Sequence, residues 1–132
     1  MKSKLYFSVF FILSLTINSS CITHDDDLNF TYNLAYVTAV DASNATTVGI
    51  PVLVKVTFVV ANGCGTFEQF IESKNGYTRN IEVEAQYIED NCIQTTSFVN
   101  VNYLFSAENP GRYTLNFRSS PTEFISVSIN VN

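Results

Sequence analysis

Residues 77–89 read YTRNIEVEAQYIE, and their alternation decides the fold class. Ile81, Val83, Ala85 and Tyr87 take every second position, with Glu82, Glu84 and Gln86 between them. A period of two sends successive side chains to opposite faces of an extended chain, so the stretch is a strand with an apolar inner face and a charged outer one. Charge on the outer face suits an exposed sheet that avoids pairing with other chains. Asn75-Gly76, just before it, is a hairpin signal. It joins the strand to a shorter segment, Thr66 to Ser73, which places Phe67 and Ile71 on one side and Phe70 on the other.

The same alternation extends in both directions. Upstream, Pro51 opens a strand with Val52, Val54, Val56, Phe58 and Val60 on one face. Leu53, Lys55, Thr57 and Val59 form the other face, which reads as a mostly buried, central strand ending at the Asn62-Gly63 turn. Further back, Phe30, Tyr32, Leu34 and Tyr36 alternate with Thr31, Asn33 and Ala35 in one half-buried strand running towards Val40, and Asp41 to Thr47 is polar and turn-like. Downstream, Thr96 to Phe105 turns Val99, Val101, Tyr103 and Phe105 to one side and Asn100 and Asn102 away. The tight turn Asn109-Pro110-Gly111-Arg112-Tyr113 precedes inward Leu115 and Phe117, and Glu123 to Val131 points Ile125, Val127, Ile129 and Val131 inward. Val, Ile, Thr, Tyr and Phe abound, and no window after residue 20 carries a helical apolar stripe. The folded part is expected to be all-β.

A tyrosine two residues past Gly111, at the start of a strand, resembles the tyrosine corner of immunoglobulin-like sandwiches. With seven short strands in about 100 residues, residues 30–132 resemble an immunoglobulin-like or fibronectin type III-like domain. The resemblance implies a seven-stranded antiparallel β-sandwich with Tyr113 in a structural role. Two features depart from the family: tryptophan is absent, and Cys64 and Cys92 sit at strand ends instead of facing each other in mid-core.

The amino terminus sets the address. Lys2 and Lys4 precede an apolar run from Leu5 to Ile17, too short to span a bilayer as a mature helix, so residues 1–20 read as a cleaved signal peptide. Ser19-Ser20-Cys21 resembles the lipobox of bacterial lipoproteins, in which the cysteine is acylated and becomes the new amino terminus. Asn18 stands where an aliphatic residue is usual, a looseness shared by Bacteroidota-type lipoproteins. Ordinary signal cleavage, leaving Cys21 as a thiol, is the alternative. Lipidation of Cys21 leaves Cys64 and Cys92 as an even pair for a disulfide, the alternative there being two buried thiols. Residues 21–29 read as a tether whose Asp25, Asp26 and Asp27 resemble the sorting signal that sends such lipoproteins across the outer membrane. The expected location is the outer membrane, lipid-anchored and on the cell surface, with the periplasmic face as the alternative.

Composition excludes several functions. Once residues 1–20 are removed, five basic residues stand against twelve acidic ones, and the basic residues are scattered, which argues against nucleic acid as a partner. The sole histidine, His24, lies in the tether, so the domain cannot assemble a histidine-based triad or an ordinary zinc site. No cofactor or metal is expected. A carboxylate pair for glycoside hydrolysis would have to come from Glu68, Glu72, Glu82, Glu84, Glu89, Asp90 or Glu108, which alternate outward or lie in turns. No Cys-x-x-Cys motif or phosphate-binding glycine loop is present. The protein is therefore expected not to be an enzyme. What remains is a binding or adhesion module for a surface glycan or protein, or a structural part of an envelope complex. Tyr77, Tyr87 and Tyr103 are the candidate stacking residues, with a core role the alternative for Tyr87 and Tyr103 on their inward faces, and loops 41–47, 62–65, 88–91 and 106–111 are the candidate contact loops.

Overall fold

In a computed structural model, residues 29–88 and 91–132 form nine strands: β1 (Phe30–Ala35), β2 (Val37–Asp41), β3 (Ala45–Thr46), β4 (Val52–Val60), β5 (Gly65–Asn75), β6 (Thr78–Ile88), β7 (Ser97–Phe105), β8 (Gly111–Arg118) and β9 (Phe124–Val131). Residues 1–28, with the segment read as a signal peptide, Cys21 and Asp25 to Asp27, lie outside the described residues, as do Glu89 and Asp90. One sheet runs β2-β4-β7, and the other runs β1-β6-β8-β9-β3 with β5 added along the far edge of β6. The alternating apolar faces meet between them: Val54, Val56, Phe58, Ile81, Val83, Phe105, Leu115, Phe117 and Ile129 are fully buried. Their removal from water supplies the main drive for packing the two layers.

The strand count and two pairings differ from expectation. The segment from Phe30 to Asp41 is two strands, because the chain changes sheets at Tyr36: Ala35 pairs with Val83 of β6, whereas Val37 pairs with Phe58 of β4. The polar stretch after Asp41 contributes the short β3, parallel to β9. The sandwich is also not purely antiparallel, since β6 lies parallel to β8 from Thr78 to Ile81. Both β1 and β8 use the same edge of β6, β8 along its first residues and β1 along its last.

Local registers correct three faces. Tyr32 and Leu34 pair with Gln86 and Glu84, so the aromatic side of β1 looks outward with the charged side of β6. A register shift between Phe67 and Gln69 breaks the alternation of β5. Phe67 and Phe70 consequently both turn inward, with centroids 4.8 Å apart, and Ile71 is exposed. Although β4 is central, its second face is open to solvent, and Leu53 is 62% exposed. Its sheet has no layer packed on that side among the described residues.

Candidate functional site

Edges distinguish the strands of this sandwich. An open edge presents unpaired backbone donors and acceptors, and proteins ordinarily guard it with charge, bulges or brevity. Among the open edges, β5 carries Glu68, Glu72 and Lys74 together with a bulge, and β2 has five residues, a bulge and Asp41. β3 has two residues, and β1 has six, uncharged and unbulged, with Leu28 and Asn29 between it and the acidic run in sequence. The remaining one, β7, has none of these guards and, at nine residues, is longer than β1.

Its sequence, SFVNVNYLF, contains no charge and no proline. It pairs with β4 without a break over nine residues, from Val52–Phe105 to Val60–Ser97, and its other edge meets no strand among the described residues. Phe98 and Leu104 stand on its outer face at 67% and 60% exposure. Across the ladder, Val59 lies beside Phe98 and Leu53 beside Leu104, so two apolar pairs flank a polar centre of Lys55, Thr57, Asn100 and Asn102. Alternation made the outward positions of β7 readable from sequence, whereas the face of Leu53 and Val59 reads there as mostly buried. The open edge was not readable, because it depends on which strands take neighbouring places.

A polar cleft of about 400 Å³ adjoins the carboxy-terminal end of β7, between the β5–β6 hairpin and the loop after Phe105. Here the fold brings together residues from three strands. Glu72 accepts hydrogen bonds from the Tyr103 hydroxyl at 2.5 Å and from Arg79 at 2.7 Å, and Lys74 lies 3.5 Å away. Arg79 also donates to the Ser106 carbonyl at 3.1 Å and lies over the rings of Phe105 and Tyr113. Burial pushes the Glu72 carboxyl up, but the bonds from Tyr103 and Arg79 and the charges of Arg79 and Lys74 outweigh it, so the group sits below its ordinary value. Burial first, then the bond to Glu72 and its charge, push the Tyr103 phenol up. Near neutral pH the carboxylate therefore stays ionised and the phenol protonated, an arrangement that holds charge in place and does not pass a proton. Its evident effect is mechanical: the network ties the end of β7 to the hairpin of the opposite sheet.

The other candidates are dispersed. Glu82 is paired with Arg118, and Glu84 accepts from Gln69 at 2.7 Å on the outer face. Tyr103 is buried at 5% exposure, the Tyr87 hydroxyl accepts from the Ala61 amide at 3.2 Å, and Tyr77 stacks edge-on against Tyr113, so the three tyrosines form no common platform. Cys64 and Cys92 are bridged, with Cα atoms 5.6 Å apart. The bridge pins the β4–β5 turn, where the Gly63 amide donates to the Ile93 carbonyl at 2.9 Å. Tyr113 donates to the Asn109 carbonyl at 3.1 Å, across the Pro110-Gly111 turn.

The family model of the ORF11 beta-sandwich domain matches residues 54–127, more than half of the chain. The chain belongs to the ORF11 beta-sandwich domain family. The matched part of the ORF11 domain runs from β4 into β9 and so contains the whole of β7, the cleft network and the disulfide. No curated protein and no solved structure matches the chain.

Proposed function

We propose that this protein is a lipid-anchored component of the outer membrane, displayed at the cell surface, whose ORF11 beta-sandwich domain catalyses nothing and binds a protein partner along β7. The observation that carries this reading is the nine-residue, uncharged, unbulged open edge with Phe98 and Leu104 exposed beside it. Such an edge supplies main-chain hydrogen bonds to an added strand, and alternate side chains supply the fit. The Glu72–Tyr103–Arg79 network supports the same reading by fixing one end of the edge before a partner arrives, which lowers the ordering cost of binding. A glycan platform draws less support, since Tyr77, Tyr87 and Tyr103 point to three different surroundings.

The anchor rests on Ser19-Ser20-Cys21 and the surface location on Asp25 to Asp27. A tether of residues 21–29 reaches at most about 30 Å when extended, which keeps the domain close to the membrane. The hydrogen bond of Tyr113 to Asn109 and the β2-β4-β7 sheet support an immunoglobulin-like ancestry, with the parallel β6–β8 ladder as its main departure.

Site-specific photo-cross-linking in cells tests the contact. A photoreactive residue at Phe98 is expected to capture a protein, and the same residue at Ser126, exposed on the outer face of the other sheet, is not. Equal capture at both sites, or none at Phe98, would overturn the reading.

A further inference from the structure

We infer that β7 pairs with β7 of a second copy of this chain, antiparallel and about a two-fold axis through Val101. The inference rests on the reading of β7 as the contact edge and names its occupant. Reversing Ser97–Phe105 about Val101 sets Phe98 opposite Leu104, Asn100 opposite Asn102, and Val99 opposite Tyr103. Each outward pair matches in character, apolar with apolar and amide with amide. A foreign strand would not require β7 to be complementary to its own reverse, whereas an isologous interface does.

The existing ladder extends the match across both sheets. Val59 lies beside Phe98, and Leu53 beside Leu104. Pairing two copies therefore builds two apolar rows, each made of Val59 and Phe98 from one copy and Leu104 and Leu53 from the other. These rows cover Leu53, Phe98 and Leu104, the exposed large apolar side chains of β4 and β7. At the centre, the Asn100 amide oxygen accepts from the Thr57 hydroxyl at 2.7 Å, which leaves the amide N–H donors of Asn100 for another acceptor. The second copy's Asn102 supplies one. Charge does not oppose the approach, because Ser97–Phe105 has none and Lys55 stands one strand back, beside Asn102 of its own copy, although the chain as a whole is acidic. The pairing also closes on itself: it consumes both β7 edges, and the opposite edge of the sheet, β2, is short and bulged, so a closed dimer results and not a fibre.

The test uses two differently tagged full-length copies expressed in one cell and recovered from detergent-solubilised membranes. Wild-type copies are expected to co-purify. Asn100→Lys with Asn102→Lys in both copies, or Asn100→Glu with Asn102→Glu in both, sets like charges opposite one another and should lower recovery about tenfold or more. One copy carrying both lysines and the other both glutamates should return recovery to the wild-type level, because every cross-pair then joins opposite charges. Restoration in the mixed pair also shows that each variant has folded. Wild-type copies that do not co-purify, or a mixed pair no better than either charged variant alone at wild-type melting temperatures, would overturn the inference. If β7 then still cross-links from Phe98 to a different protein, the proposed function stands and only its self-pairing falls. If neither contact forms, both fall.

Discussion

Replacing Tyr103 with phenylalanine separates the polar part of the cleft network from its packing. The ring lies edge-on to Phe70 at 5.2 Å and to Phe117 at 5.7 Å, contacts that phenylalanine preserves. The loss is the 2.5 Å bond to an ionised Glu72. Bonds to charged groups contribute about 1.5 to 3 kcal/mol. Glu72 keeps its bond from Arg79, and its side chain is 22% exposed, so water recovers part of the loss. The expected cost is the lower figure, about 1.5 kcal/mol, or a fall in Tm of roughly 6 to 12 °C for a domain of this size. Thermal melting of wild type and Tyr103→Phe, followed from acid to neutral pH, measures it. The Glu72 pKa is lowered on folding, so the stability it contributes is fully present above its unfolded value of about 4.5 and is lost as pH falls through the folded value. The gap between the two proteins should therefore be full at pH 7 and shrink in acid. A gap under about 0.3 kcal/mol at pH 7, or one that does not change with pH, would refute the network's role in fixing β7.

Three further outcomes follow from the same structure. Tyr113→Phe should cost about 1 kcal/mol in chemical denaturation through loss of the bond to Asn109, since the ring keeps its contacts with Phe105 and Tyr77. Replacing Cys64 and Cys92 together by alanine opens a loop with a separation of 28 and should cost roughly 3.5 kcal/mol by the same assay, provided the wild type is kept oxidised. Cys21→Ala should move the protein from the membrane to the soluble fraction and remove the acyl mass from the intact protein; a wild-type product that is soluble and unmodified would remove the anchor from the account.

Much of the fold was legible because strands with one buried face write a period of two. Val54, Val56 and Phe58, or Ile81, Val83 and Ala85, are buried as their spacing requires. The failures lie where a neighbour sets the register. The aromatic side of β1 follows Glu84 and Gln86 outward, although Tyr32 and Leu34 are individually the better core residues. In β5 an irregularity after Phe67 swaps the faces of all that follow, which no alternating pattern can announce. The parallel β6–β8 ladder is equally silent in the sequence, since neither strand encodes the direction of its partner. The cleft network required Glu72, Arg79 and Tyr103 to arrive from three strands, and each taken alone reads as a surface charge or a core ring. For β7 the missing guards were written in SFVNVNYLF, but they became informative only once the strand was found at an edge.

Hydrogen exchange of β7 tests the central claim most directly, because a covered edge protects amides that an open one leaves to water. The measurement compares the full chain in membranes from cells that express it, where the proposed anchor would hold it, with the same chain dispersed at high dilution in detergent, following peptides over Ser97–Phe105 and, as a control, over the guarded edge of β5. Slower exchange in β7 in the membrane, with β5 unchanged, is the predicted result. Equal exchange of β7 in both states would contradict the account.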